Sequence, residues 1–127
     1  MKMKISLIFS LLMISLSSIA SDALIIGVSD YKTSPLKNPI NDAKLISNKL
    51  ESLGWKVTLV TNPNSKELES KLNKFSRSLD KETDVTLVYF SGHGFQYFGE
   101  NFLVPLNVKD SKIIEDSLSL SEIISSL

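Results

Sequence analysis

The 127-residue sequence contains no cysteine and a single histidine. Without thiols these residues form no disulfide and no thiolate metal site, and they supply no thiol nucleophile. An excess of charge of one sign is also missing, because 14 Lys and Arg balance 14 Asp and Glu. That leaves no electrostatic footprint for nucleic acid. Glycine (5) and proline (4) are scarce, while 43% of residues are hydrophobic and 22% charged. These proportions exclude collagen-like repeats and a disordered chain. The longest apolar run, Ile5–Leu16, has 12 residues, short of the roughly 20 that span a bilayer. The length suits one domain, since single domains hold about 100–200 residues.

The beginning of the chain reads as an address. Lys2 and Lys4 precede the apolar run, and Ser17-Ser18-Ile19-Ala20 places small residues at −3 and −1 of a cleavage site after Ala20. Those are the parts of a secretory signal peptide over residues 1–20, which predicts a secreted or periplasmic protein. An uncleaved amphipathic or anchoring helix is the competing reading. Cleavage removes two lysines and leaves residues 21–127 slightly acidic, with no further segment long enough to cross a membrane.

The remainder alternates strand, helix, strand, helix, strand. Ala23–Val28 is continuously apolar and β-branched, as suits a strand buried on both faces of a parallel sheet. Asn38-Pro39 reads as cap and first helical residue, followed by an apolar stripe Ala43, Ile46, Leu50 and Leu53 and a stop at Gly54. Trp55–Val60 predicts a strand nearer the sheet edge. Asn64 and Glu67 form a capping box for a second stripe, Leu68, Leu72, Phe75 and Leu79. Val85–Phe90 is the strongest strand. Phe95–Phe98 and Asn101–Val104 resemble a small hairpin around Gly99-Glu100, and Lys109–Leu118 reads as a polar tail. Ser119 and Glu122 cap a last helix. This order gives an α/β fold with right-handed crossovers and a mostly parallel sheet.

Sites in such sheets form beyond the carboxyl ends of the strands. Ser91-Gly92-His93-Gly94 falls there, and His93 is the one imidazole of the sequence, the side chain most often used as an acid/base group. A histidine beside free backbone amides suits acyl transfer, as general acid/base next to an oxyanion site. A polar turn with an ordinary surface histidine is the competing reading. One histidine, no cysteine and scattered carboxylates make no metal-ligand set, and no cofactor is expected. A nucleotide-binding or flavodoxin-like domain is disfavoured, because Gly27-Val28-Ser29-Asp30 holds one glycine where a phosphate loop needs several.

Ala23–Tyr31, Lys37–Ala43, Leu53–Trp55, Val88–Gly94 and Asn101–Pro105, in this order and spacing, resemble the caspase-like cysteine peptidases, closest to the bacterial and metacaspase branch. The resemblance covers nearly all of residues 21–127. It implies a caspase-like three-layer fold and a Cys–His endopeptidase acting on protein or peptide substrates. His93 matches the catalytic acid/base, and Gly94 the residue whose N–H serves the oxyanion. Asp42 matches the acid that metacaspase-like enzymes use to bind Arg or Lys before the scissile bond. Read without the family, Asp42 is a first-turn acid favoured by the helix dipole.

In that family the nucleophilic Cys follows the His by about 50 residues, an interval that runs past Leu127. The expectation is therefore a partial catalytic domain over residues 21–127, stopping before the nucleophile strand. It carries the His half of the dyad and is inactive alone. A non-catalytic, protein-binding module is the alternative. Without the neighbouring strand, Val85–Phe90 would be an open apolar edge, prone to pairing with partners or with other copies.

Overall fold

The computed structural model of the protein describes residues 19–127; the predicted leader, apart from Ile19 and Ala20, lies outside the described residues. The chain runs through β1 (Ser21–Gly27), α1 (Pro39–Ser52), β2 (Lys56–Thr61), α2 (Ser65–Ser78) and β3 (Val85–Ser91). It continues through β4 (Gly94–Tyr97), β5 (Glu100–Leu103), α3 (Ile113–Asp116), β6 (Leu118–Ser119) and α4 (Leu120–Ser126). β2, β1 and β3 form a parallel sheet in that order. β4, β5 and β6 form a second, antiparallel sheet. The expected α/β architecture with a parallel sheet is present, and among the described residues β2 and β3 are its edges.

The central strand explains the layering. Alternate side chains of a strand point to opposite faces. Leu24, Ile26 and Val28 pack with Leu68, Leu72 and Phe75 of α2 and Ile123 of α4 on one face. Ala23 and Ile25 pack with Ala43, Ile46 and Leu50 of α1 on the other. Ala23, Leu24 and Ile25 are wholly buried, and burial of each large side chain contributes about 1.5–3 kcal/mol. Gly27 permits the close seat of α1, because a Cβ there would stand 2.8 Å from Pro39 O and 2.9 Å from Ala43 Cβ.

The helix caps follow the sequence in two of three cases. Asn64 Oδ1 accepts from Glu67 N–H while Asn64 N–H donates to Glu67, and Ser119 and Glu122 repeat the arrangement. Asn38, by contrast, makes no side-chain cap bond. Ser29 Oγ takes its place and accepts from Ile40 N–H at 3.3 Å. The first stripe is also shorter than predicted. Leu53 is exposed, because α1 ends at Ser52 and Gly54 (φ +87°) turns the chain away before Leu53 can face the sheet.

The hairpin is offset by one residue from the expected position. Its turn is Phe98-Gly99, both at positive φ (47° and 78°), which is the type I′ geometry that matches strand twist. Phe98 is almost fully exposed there, an unusual residue for a left-handed backbone. The polar segment after residue 108 contains a 3-10 turn, Asp110–Lys112, and the short α3. Apolar Ile113 and Ile114 are too few to announce a helix by periodicity.

Candidate active site

Three connections meet beyond the carboxyl ends of the parallel strands. The β1–α1 loop is pinned by Asn62 at the end of β2. Asn62 Oδ1 accepts from Ser29 N–H at 2.8 Å and Asp30 N–H at 3.2 Å, and Asn62 Nδ2 donates to Asp30 Oδ2 at 2.8 Å. Asn62 itself has φ +49°, a conformation that Asn adopts more readily than most residues. Thus held, the loop carries Tyr31 and Ser34 to the end of β3, where His93 follows Gly92.

His93 is gripped at its ring and at its backbone. Nε2 lies 2.7 Å from Ser34 O, and Ser34 stands in the left-handed region at φ +57°. A carbonyl only accepts, so the bond requires a proton on Nε2 and leaves the Nδ1 lone pair as the base when the ring is neutral. The His93 N–H donates to Tyr31 Oη at 2.9 Å, and Tyr31 Oη donates to Val104 O at 2.6 Å. The two rings are 4.4 Å apart, tilted by 51°. Burial pushes the Tyr31 phenol above its ordinary value, partly offset by the His93 N–H.

Gly94 begins β4, opposite Leu103. Val104 N–H donates to His93 O at 2.9 Å, so His93 and Val104 occupy a hydrogen-bonded position of the ladder. Such positions alternate along antiparallel strands. The Gly94 N–H therefore turns away from β5, on the open edge of the small sheet. His93 and Gly94 together line a cavity of about 360 Å³ between the 31–34 loop and the Val104–Ile113 segment.

Of the sequence-derived site residues, His93 and Gly94 are brought together. Asp42 sits exposed on the first turn of α1 and does not line that cavity. The carboxylate that does line it is Asp110. Sequence reasoning missed Tyr31, Ser34 and Asn62. An aromatic in a polar strand-to-helix loop was the available signal for Tyr31. Ser34 acts through its backbone and leaves no such signal. Among the described residues no group of three or more His, Asp or Glu could hold a metal ion. None of the described helices is long and apolar enough to cross a membrane.

The structure is thus an α/β domain that presents a backbone-anchored histidine at the carboxyl end of its parallel sheet. The family described as Caspase domain matches residues 21–127, and the chain belongs to it. It is 32% identical over 103 residues to the human mucosa-associated lymphoid tissue lymphoma translocation protein 1 and, to the same extent, to the mouse homologue. Each match covers 80% of this chain and 12% of the relative's length. The chain is thus a caspase-family peptidase domain or a related module of that family.

Proposed function

We propose that this chain is the histidine-bearing part of a secreted caspase-like cysteine endopeptidase directed at Arg or Lys. The observation that carries the reading is the arrangement of His93, with Nε2 committed to Ser34 O beside a Gly94 N–H that the alternation of the ladder points away from β5. In the complete site a thiol proton passes to Nδ1 and the thiolate sulfur attacks the carbonyl carbon of the substrate. The Gly94 N–H donates to the oxyanion, and Nδ1 returns the proton to the leaving amine. The Ser34 carbonyl steadies the imidazolium between these steps. The thiol is not among these 127 residues, which therefore do not run the cycle by themselves.

The Arg or Lys preference rests on Asp42, an exposed carboxylate one helical turn into α1, whose first residues follow the loop that holds His93. Secretion rests on the basic, apolar and small-residue parts of residues 1–20.

The test is the intact mass and amino-terminal sequence of the protein isolated from its own cells, followed by assay on Arg and Lys peptides. A mature chain that begins at Ser21, contains a cysteine strand and loses cleavage on His93→Ala or Asp42→Ala supports the reading. A natural carboxyl terminus at Leu127, or cleavage indifferent to His93, overturns it.

A second reading has its own support. β3 is an edge of the parallel sheet, and an open edge accepts an extended segment by strand addition. Binding of a partner that survives His93→Ala and fails with Thr86→Pro would favour a non-catalytic module.

A further inference from the structure

The antiparallel ladder between β4 and β5 is interrupted where it reaches His93. A hydrogen-bonded pair exchanges two N–H···O bonds. His93 and Val104 exchange one, from Val104 N–H to His93 O at 2.9 Å. In place of the return bond stands the Tyr31 hydroxyl, which accepts from His93 N–H at 2.9 Å and donates to Val104 O at 2.6 Å. The hydroxyl thus lies within the ladder, although Tyr31 precedes His93 by 62 residues. Gly92 leaves room for it, since a Cβ there would stand 2.7 Å from Tyr31 Oη.

We propose that Tyr31 is the positioning residue of His93. By occupying the site of a strand bond, its hydroxyl keeps the His93 backbone splayed from Val104, so that the imidazole reaches Ser34 O and remains in the Nε2–H tautomer. One loop then grips the histidine twice, at its amide through Tyr31 and at its ring through Ser34. Without the hydroxyl two outcomes are open to the backbone. The His93 N–H and Val104 O close on each other, which draws His93 toward β5 and away from the loop, or both lose their partner and the corner loosens. Either one releases Nε2 from Ser34 O. The inference rests on His93 being the acid/base group of the site.

The single histidine makes the test direct, because imidazole ¹⁵N resonances come from one residue. In the unmodified protein, at a pH where the ring is neutral, Nε2 is expected at a protonated and Nδ1 at an unprotonated nitrogen shift. In folded Tyr31→Phe the two shifts are expected to converge toward the tautomer average of free imidazole. Tyr97→Phe, which removes a half-exposed hydroxyl from β4, is expected to leave them apart. Unchanged shifts in folded Tyr31→Phe overturn the positioning role and leave the peptidase reading intact. A mixed tautomer in the unmodified protein overturns the catalytic reading of His93 and this inference with it. Should Tyr31→Phe not fold, 3-fluorotyrosine keeps the shape and weakens the oxygen as acceptor. The His93 amide proton is then expected to move upfield, and an unmoved amide overturns the proposal.

Discussion

Asn62 and Asp30 are joined in both directions: Asn62 Nδ2 donates to the Asp30 carboxylate at 2.8 Å, and Asp30 N–H donates back to Asn62 Oδ1 at 3.2 Å. The end of β2 thereby fixes the loop that presents Tyr31 and Ser34 to His93. Asn62→Gly keeps the positive φ but removes the side-chain bonds. It is expected to cost about 1–3 kcal/mol in chemical denaturation and to raise amide exchange at Ser29 and Asp30. Unchanged exchange at both amides would refute the pinning role.

Gly27→Ala tests the seat of α1. The added Cβ would meet backbone at Pro39 O and the Ala43 methyl, both closer than 3.0 Å, and neither is the end of a flexible side chain. Overpacking of this kind costs about 1–3 kcal/mol. A thermal melt is expected to fall accordingly, whereas Gly54→Asn, where a Cβ meets nothing within 4 Å, is expected to cost less and only through the strain of its left-handed backbone.

Alkaline stability reports Tyr31. Burial lifts its phenol above 10.0, so the folded protein holds that proton more tightly than the unfolded chain. The contribution is complete below pH 10.0 and is lost as pH rises through the folded value. Unfolding free energy measured against pH is expected to decline above 10.0, with a shallower decline in Tyr31→Phe. Equal slopes would contradict the assignment.

Acid stability reports Glu100. Its carboxylate accepts from Ser121 Oγ at 2.6 Å and Ser121 N–H at 3.0 Å, and these bonds hold it below 4.5. That contribution is present above pH 4.5 and lost as pH falls through the folded value. Glu100→Gln is expected to flatten this part of the acid melt, with α4 amide protection as the local readout. An acid limb as steep as that of the unmodified protein would count against it.

Fold and site differ in how far the letters reveal them. The β-branched run before Gly27 announced a strand buried on both faces, and the Asn64–Glu67 and Ser119–Glu122 spacings announced two caps, because each depends on side chains within one local segment. Asn38 does not cap α1 with its side chain, since Ser29 satisfies that helix end from across a loop. Gly92 and Gly94 around His93 marked the corner. Its second grip was hidden, for a Ser34 carbonyl has no letter of its own. The Phe98-Gly99 turn departs from the Asn-Gly pattern that usually signals such hairpins.

The open strand gives the last prediction. Val85 is 45% exposed and the rest of β3 is half-buried at the sheet edge, a setting that invites pairing. Sedimentation of the protein ending at Leu127 is expected to show concentration-dependent association, reduced by Thr86→Pro. A monodisperse monomer with a cooperative melt would overturn this.

The bonds around His93 span 59, 62 and 73 residues of sequence, and this bears on how the protein is made. Contacts so distant in sequence close slowly. At synthesis rates of about 5–20 residues per second, roughly 4–15 s separate the appearance of Tyr31 from that of Val104. For most of that interval, until Val85–Ser91 has been made, β1, the most apolar strand of the sheet, waits without β3 beside it. The sheet of the nascent chain thus stays open, and dependent on whatever shields apolar segments, until most of the described residues have been synthesised.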